Sequence, residues 1–429
     1  MLMAAGEIRK ECVYLDRIIF HVDVNSAFLS WEAARRVQNG EEDIRLIPSA
    51  IGGDREKRTG VILAKSIPAK RYNIKTGEPV AMALRKCPQL YLAKPDFVLY
   101  ERSSKAFMDI CRKYSPVVEK YSIDECFLDM SGTMHLYPDY YAIAIQIKNE
   151  IRDTLGFTVN IGIGPNKLLA KMASDFEKPD KIHTLFLDEL KDKLWPMPVG
   201  ELFLVGYATS ERLRKANITT IGELAGTDLG RIQALVGVKF GIQIHEYANG
   251  IDDTPVLDRP DPPKGYSNSI TLEEDVKTIE SANRILLALS DSVASRMRAD
   301  NVKAFCISVT IRDNNFKDKS RQTKLHEPTD ITSEIYEISR RLFSEVWDRK
   351  TPLRLLGVSL SDLATENYEQ QSLFFDQDRV REEKLDRTID NLRQKFGIDT
   401  ITRGSLYQSN TNVGKKYKAQ LKNKAQDDH

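Results

Sequence analysis

Three acids and a lysine stand where they could do chemistry at phosphorus. Asp23 closes the apolar run RIIFHVDV (17–24), and Asp124 and Glu125 sit at the turn leading into Cys126–Leu128. A carboxylate at the end of a buried-type strand is costly unless something compensates it. Either position alone reads most simply as a cap or turn acid. Three acids on adjacent strands of one sheet form an oxygen cage suited to Mg2+, which takes carboxylates and keeps waters and substrate phosphates as its other ligands. A pair of such ions can activate an attacking hydroxyl and stabilise the leaving oxygen of an in-line displacement. For the phosphate itself, VNIGIGPNKLLAKMASDFEKPD (159–180) runs from a strand through a Gly-Pro turn into a helix. Lys167 falls in its first turn, where free N–H groups and the helix dipole favour an anion, although a first-turn lysine is often only solvated. AKRYNIKTG (69–77) adds Lys70 and Arg71.

Those residues need a scaffold, and the pattern of the chain predicts one. Residues 17–24 read as a strand, 27–38 as a helix and 46–92 as a small irregular unit of short apolar pieces between Gly and Pro turns. An amphipathic helix over 101–115 precedes a strand, turn and strand over 117–130. A helix near 139–155, the strand Thr158–Ile163 and a helix opening at Pro165–Asn166 follow. Residues 186–257 read as short helices punctuated by Gly. DRPDPPKG (258–265) carries three prolines in eight residues, which excludes regular helix and central strand and marks a linker. Beyond it, 267–362 reads strand, helix, strand, strand, helix, strand. One more amphipathic helix (378–396) leads to a lysine-rich end.

Composition narrows the class. At 429 residues the chain has room for two to four domains. Hydrophobic residues make up 41% and charged ones 29%, as in a soluble globular protein. No apolar run approaches the roughly 20 residues that span a bilayer, and the charged start MLMAAGEIRKE does not read as a secretory signal. Cys12, Cys87, Cys111, Cys126 and Cys306 are scattered without a CxxC pair. That argues for a reducing cytoplasm and against a zinc site or disulfide framework. The net charge of +1 gives no sign of a nucleic-acid partner, so only local charge can speak for one.

Taken together, HVDVNSAFLSWE (21–32), YSIDECFLD (121–129) and IGIGPNKLLAKMASDFEKPD (161–180) resemble the Y-family translesion DNA polymerases. The first block leans toward the UmuC branch and the third toward DinB. The likeness runs in order over roughly residues 17 to 400. It implies an α+β multidomain right-hand polymerase: a palm of sheet plus helices (15–26 and 93–178), small fingers (27–92), a helical thumb with a helix-hairpin-helix (179–257), a linker (258–264) and an α/β little finger (265–362). It implies template-directed, low-fidelity translesion synthesis by two-metal nucleotidyl transfer, with a mutator role in DNA repair and the SOS response. By the same resemblance, Asp23, Asp124, Glu125 and the Val24 carbonyl hold two Mg2+ ions, with Mn2+ as the alternative. Phe28 is the steric gate, Lys167 the triphosphate lysine, and Lys70 stands where many members carry an Arg. Ile67 replaces a Tyr that many members use on the triphosphate. The expected partners are primer–template DNA, a deoxynucleoside triphosphate and a sliding clamp, in a cytoplasmic monomer with no membrane contact.

Further blocks fit that frame, each with a plainer alternative. PVGELFLVGYATSERLRKANITTIGELA (198–225) resembles the thumb hairpin, whose turn up to Gly206 offers N–H groups to a phosphate, but helix pairs around a Gly also simply pack. The segment 311–324 holds five basic and two acidic residues. Alternation gives Lys317, Lys319 and Arg321 a common face for phosphates, or else a lysine-protected edge strand. Gln370, Leu373 and Phe374 resemble the QxxLF peptide that docks on the clamp, where Leu-Phe fills an apolar pocket; the run could also pack on its own core. Phe28 taken alone reads as core. Two rival functions share the palm: a nucleotide cyclase, which has no use for a thumb hairpin or clamp peptide, and a non-catalytic repair scaffold.

Overall fold

The computed structural model describes residues 17–53, 60–259, 261–365, 377–397 and 400–406. Gln370, Leu373, Phe374 and the lysines near the C-terminus lie outside the described residues. The chain divides into two compact units, one of residues 1–52, 62–78 and 82–260, the other of 261–429 with 53–61 and 79–81.

In the first unit β1 (Ile19–Val24) leads into α1 (Ala27–Gln38). A small three-stranded piece follows, with β2 (Ser49–Gly52), β3 (Ile62–Lys65), the one-turn helix α2 (Ile67–Lys70), α3 (Val80–Lys86) and β4 (Tyr91–Ala93). Next come α4 (Phe97–Arg112), β5 (Val118–Lys120), β6 (Glu125–Asp129), α5 (Tyr140–Leu155), β7 (Val159–Gly164), α6 (Lys167–Ser174) and β8 (Ile182–Thr184). The large sheet has the order β5-β6-β1-β7-β8, with β1 antiparallel to both neighbours.

Every residue of β1 and β7 is buried, as befits central strands covered on both faces. Side chains alternate. Phe20, Val22 and Val24 of β1 and Val159, Ile161 and Ile163 of β7 join one core with Phe107, Ile143, Ile147 and Ile151 of α4 and α5. That leaves His21, Asp23, Asn160 and Gly162 on the opposite face, under α6. Leu29, Trp31 and Ala33 of α1, with Ile44 after it and Ile51 and Ala64 of the small three-stranded piece, belong to the same core as β1.

Short helices α7 (Tyr207–Lys215), α8 (Ile221–Ala225), α9 (Leu229–Val236) and α10 (Val238–Ala248) complete this unit. Their Leu213, Ile221, Leu224, Ile232 and Ile244 share a core with Leu168, Leu169 and Met172 of α6. Thus α6 packs on the large sheet with one side and on the helical segment with the other.

The second unit runs β9 (Gly265–Val276), α11 (Ile279–Ala299), β10 (Val302–Asp313), β11 (Asp318–Thr329), α12 (Thr332–Val346) and β12 (Leu353–Thr365), matching the order read from the sequence. Its sheet is β11-β10-β12-β9. Leu286, Leu289, Leu342 and Phe343 of the helices cover Ile307, Val309, Ile311, Leu356, Val358 and Leu360 on one face. The additional helix α13 (Gln377–Phe396) attaches by charge. Buried Arg298 meets Asp390 at 2.6 Å and Asp386 at 3.2 Å, and Asp291 meets Arg393 at 2.8 Å and Arg403 at 3.2 Å.

One contact decides how close α6 lies to the sheet. A Cβ on Gly162 would stand 2.0 Å from the Ala170 carbonyl oxygen and 2.3 Å from the Ser174 nitrogen, backbone atoms that cannot turn aside. Gly162→Ala should therefore push α6 off β7 and cost about 3 kcal/mol or more. Urea titration checks this, and an unchanged midpoint would contradict the packing.

Candidate active site

Register brings the acids together. Asp23 pairs with Glu125 across β1 and β6 and with Asn160 across β1 and β7. The Val24 N–H donates to the Asp124 carbonyl at 3.0 Å, which fixes the 122–125 turn against the end of β1. Within that turn the Ser122 hydroxyl donates to the Asp124 carboxylate at 2.6 Å, and the Asp124 N–H donates back to Ser122 Oγ at 3.2 Å.

The compensating charges come from α6 and the loop after it. Lys178 Nζ lies 2.6 Å from Asp23 Oδ2 and 2.8 Å from Asp175 Oδ1. Lys171 Nζ lies 3.0 Å from Glu125 Oε2 and over the rings of Tyr121 and Phe203 at 4.9 and 5.6 Å. Two amides hold the loop that carries Lys178. Asn160 Nδ2 donates to the carbonyls of Ser174 and Glu177 at 3.0 and 2.7 Å, while its Oδ1 accepts from Asn25 Nδ2 at 3.1 Å. Asn25 Oδ1 accepts from the Asp180 N–H at 2.9 Å.

These surroundings leave Asp23 under strain of charge. Burial pushes its carboxyl up to about 6, against the pull of Lys178 and with a further push from Glu125. Burial pulls the Lys178 ammonium down, yet Asp23 and Asp175 together hold it above its ordinary value. Fully buried His21 is driven well below the imidazole range, by burial first and then by Lys171 and Lys178, so it is neutral. Its Nδ1 is 2.7 Å from Ser174 Oγ, which donates to the Lys171 carbonyl.

The donor set fits a hard dication. It is three carboxylates and a strand-end carbonyl, with no thiolate, and the raised Asp23 carboxyl is a charge that a cation would relieve. As they stand, Asp23 and Glu125 face lysines and Asp124 faces Ser122. Among the described residues no three His, Cys, Asp or Glu side chains converge as around an ion.

Lys167 is not part of this group, contrary to the expectation. Its Nζ sits 2.7 and 2.8 Å from the two Glu119 oxygens and 5.0 Å over the Phe127 ring. The helix end expected to take the anion is also filled. Asn166 Oδ1 accepts from the Leu169 N–H at 2.9 Å, and Asp252 Oδ2 accepts from the Leu168 N–H at 3.1 Å. Lys171, Lys178, Asn25 and Asn160 are the residues that sequence reasoning missed. The Lys-Pro step at 178–179 and the two Asn beside the strand acids were the available signals.

Phe28 is half-buried, stacked on Tyr100 at 4.6 Å with Trp31 and Phe97 edge-on at 5.9 and 6.5 Å. Lys70 is exposed on α2, and Ile67 is 51% exposed. Burial, then Lys70, Lys86 and Lys75, lower the Lys65 ammonium against the pull of Glu78, so the small sheet carries a lysine cluster. In the helical segment Gly206 is the exposed N-cap of α7, which has no side-chain cap, and Leu204 beside it adopts φ +70°.

In the second unit the basic residues are arranged differently from the expectation. Lys317 lies in the turn, not on β11. Lys319 and Arg321 pair with Ile311 and Val309, whose side chains face the helices, and Arg321 Nε lies 3.0 Å from Glu345 of α12. Lys319 and Arg321 do share a face, but it is the helix-covered one. The open face carries Ser308, Thr310, Ser320, Gln322 and Lys324 beside Ser267, Ser269 and Ser359.

A family model described as the impB/mucB/samB family matches residues 22–175, and one for its C-terminal domain matches 263–373. A model of the DNA polymerase-iota thumb domain matches 201–252. The DNA polymerase IV of Clostridium acetobutylicum is 44% identical over 398 residues, 92% of this chain and 99% of that one. DNA polymerase IV 1 of Bacillus subtilis is 36% identical over 400 residues, 91% and 93% of the two chains. Among solved structures, a Y-family DNA polymerase chimera superposes with a TM-score of 0.71 at 21% identity, covering 81% of this chain and 99% of that one. No described helix is long and apolar enough to cross a membrane.

The Asp23 environment has a measurable consequence in metal-free protein. The folded carboxyl keeps its proton up to about pH 6, whereas an unfolded Asp releases it near 4. Between those values the folded state binds more protons, so this group's contribution to stability falls as pH rises through the window. In EDTA, wild type should lose roughly 2 kcal/mol relative to Asp23→Asn between about pH 4.5 and 7.5. Parallel stability curves from urea titrations of the two proteins would contradict the assignment.

Proposed function

We propose, for a chain that belongs to the impB/mucB/samB family and is a DinB-like Y-family DNA-directed DNA polymerase with the right-hand fold, low-fidelity translesion synthesis centred on Asp23, Asp124 and Glu125. The observation that carries this reading is the register that sets Asp23 of β1 opposite Glu125 of β6 with Asp124 bonded to the end of β1. These acids and the Val24 carbonyl would hold two Mg2+ ions. Such ions supply activation of the primer 3′-hydroxyl and neutralise charge on the departing pyrophosphate.

The chain's own groups do the rest. Lys178 and Lys171 occupy the acids in the free protein and turn to the incoming phosphates once the acids are otherwise engaged. This assigns the triphosphate contact to Lys178 and leaves Lys167 as a structural ion pair with Glu119. Lys70, with Lys65, Lys75 and Lys86 around it, adds positive potential from the fingers. Phe28, braced by Tyr100, Trp31 and Phe97, excludes the 2′-hydroxyl of a ribonucleotide by volume. Template and primer backbone meet the uncapped N–H groups after Gly206 and the serine-rich open face of the second unit. Gln370, Leu373 and Phe374 dock the sliding clamp. A cytoplasmic monomer working in damage tolerance completes the reading.

Primer extension with Mg2+ on intact and abasic templates tests it. Wild type should extend both, and Asp124→Ala should fall below about a hundredth of wild type while retaining primer–template affinity, because several kcal/mol of transition-state stabilisation goes with the ligand. Substantial residual extension would remove Asp124 from the site.

A second comparison separates the lysines. Lys178→Ala should raise the KM for a deoxynucleoside triphosphate by about tenfold or more, equivalent to losing roughly 1.4 kcal/mol of charge-assisted contact. Lys167→Ala should leave KM within about twofold and lower the melting temperature instead. The reverse pattern would restore Lys167 to the triphosphate.

A further inference from the structure

Outside the polymerase site, the helical side of the second unit contains a cavity of about 290 Å3 between the start of α11 and the end of α12. Ile279 and Asn283 line it from α11; Glu337, Arg340, Arg341, Phe343, Ser344 and Trp347 line it from α12 and its C-cap, and Arg349 from the following loop. Three arginines and one glutamate therefore share the lining. That carboxylate is already taken, since Arg340 Nη1 lies 2.9 and 3.0 Å from the Glu337 oxygens. Among the described residues Arg341 and Arg349 have no acidic partner. Arg349 is exposed in a tight loop. Asp348 Oδ1 accepts from the Lys350 and Thr351 N–H groups at 2.9 and 2.8 Å, and Arg349 itself adopts φ +60°.

The floor is apolar but closed. Phe343 and Trp347 stack at 5.2 Å and are only 2% and 6% exposed. The Trp347 indole N–H is spent on the Thr351 carbonyl at 2.8 Å. No ring face is therefore open to a base, and no indole donor is left to read one. The volume, just below the roughly 300–1,000 Å3 of small-molecule sites, exceeds what a lone phosphate fills. What the cavity offers is two arginines without an acidic partner among the described residues, whose guanidinium forks match carboxylate and phosphate oxygens, beside an apolar rim at Ile279, which suits a chain that carries both acids and an aliphatic side chain.

We propose that this cavity is a docking site for an acidic peptide segment of a partner protein, with carboxylates on Arg341 and Arg349 and one aliphatic side chain against the exposed rim residue Ile279. Recognition of acidic motifs by clustered arginines follows the same chemistry elsewhere. The site is independent of the polymerase reading, because none of its residues belongs to the acids, lysines or aromatic ring assigned there.

Fluorescence anisotropy of the full-length protein with a short fluorescein-labelled peptide of Glu and Asp around one Leu tests the proposal. The Arg341→Glu, Arg349→Glu double variant should weaken binding at least tenfold at an unchanged melting temperature. A peptide with Gln and Asn in place of the acids should lose binding by a similar factor. The milder Arg341→Ala, Arg349→Ala pair, expected to weaken binding several-fold, serves if the charge reversal fails to fold. Equal affinity of wild type and variants would overturn the site. Displacement of the peptide by a single-stranded oligonucleotide, ADP or inorganic phosphate at comparable concentration would overturn the peptide assignment.

Discussion

Negative charge on a dehydrated strand is the constraint around which the first unit is arranged. β1 is buried at every position, and its fifth residue is an aspartate. Removing a carboxylate from water is costly unless cations or hydrogen bonds replace the lost hydration. The replacement here comes entirely from one direction, the helix α6 and the loop behind it. For Lys171 and Lys178 to reach the acids, α6 must lie almost on the backbone of β7, which only a glycine at 162 permits. For the loop to keep its path, the amides of Asn25 and Asn160 must bridge the strands to the main chain of residues 174–180. Each of these features makes sense as an answer to the same electrostatic demand.

Because α6 also belongs to the core of the short helices, that demand extends beyond the sheet. Asp252, at the end of the helical segment, caps the Leu168 N–H, and Glu119 of β5 bonds both Lys167 and the Leu257 N–H. The chain leaving the helices is thereby fastened to the helix that supplies the site's cations. The position of one is tied to the position of the other.

The acids were legible in the sequence because each sits in a short local pattern, an apolar run ending in Asp and a turn of consecutive acids. Element order was legible for the same reason, down to the strand, helix, strand, strand, helix, strand series of the second unit. That Lys167 stands apart from the acids was not legible, because what it and its helix end meet, Glu119 and Asp252, comes from far away in the chain, and no local rule shows that an apparent anion site is already filled. Arg321 illustrates a related gap. A period of two reveals that residues share a face, but which face the helices cover depends on Val309 and Ile311 of the neighbouring strand. Phe28 was ambiguous in sequence and has both attributes in the structure, a half-buried ring backed by three other aromatics.

The charged seam beneath α13 bears on where the second unit ends. The family model for the C-terminal domain stops at residue 373, before the helix that supplies Asp386 and Asp390 to Arg298. A chain cut at that boundary would uncover Arg298, which the helix helps to keep at 7% exposure, leaving it the Asp330 carbonyl and the Thr332 hydroxyl, and would leave Asp291 without Arg393 and Arg403. Each charge-assisted contact of this kind is worth on the order of 1.5–3 kcal/mol, a large share of what holds any small domain together. The folding unit of this protein is thus longer than the homology unit, and recombinant fragments or fusions of it need to extend past residue 403 to be sound.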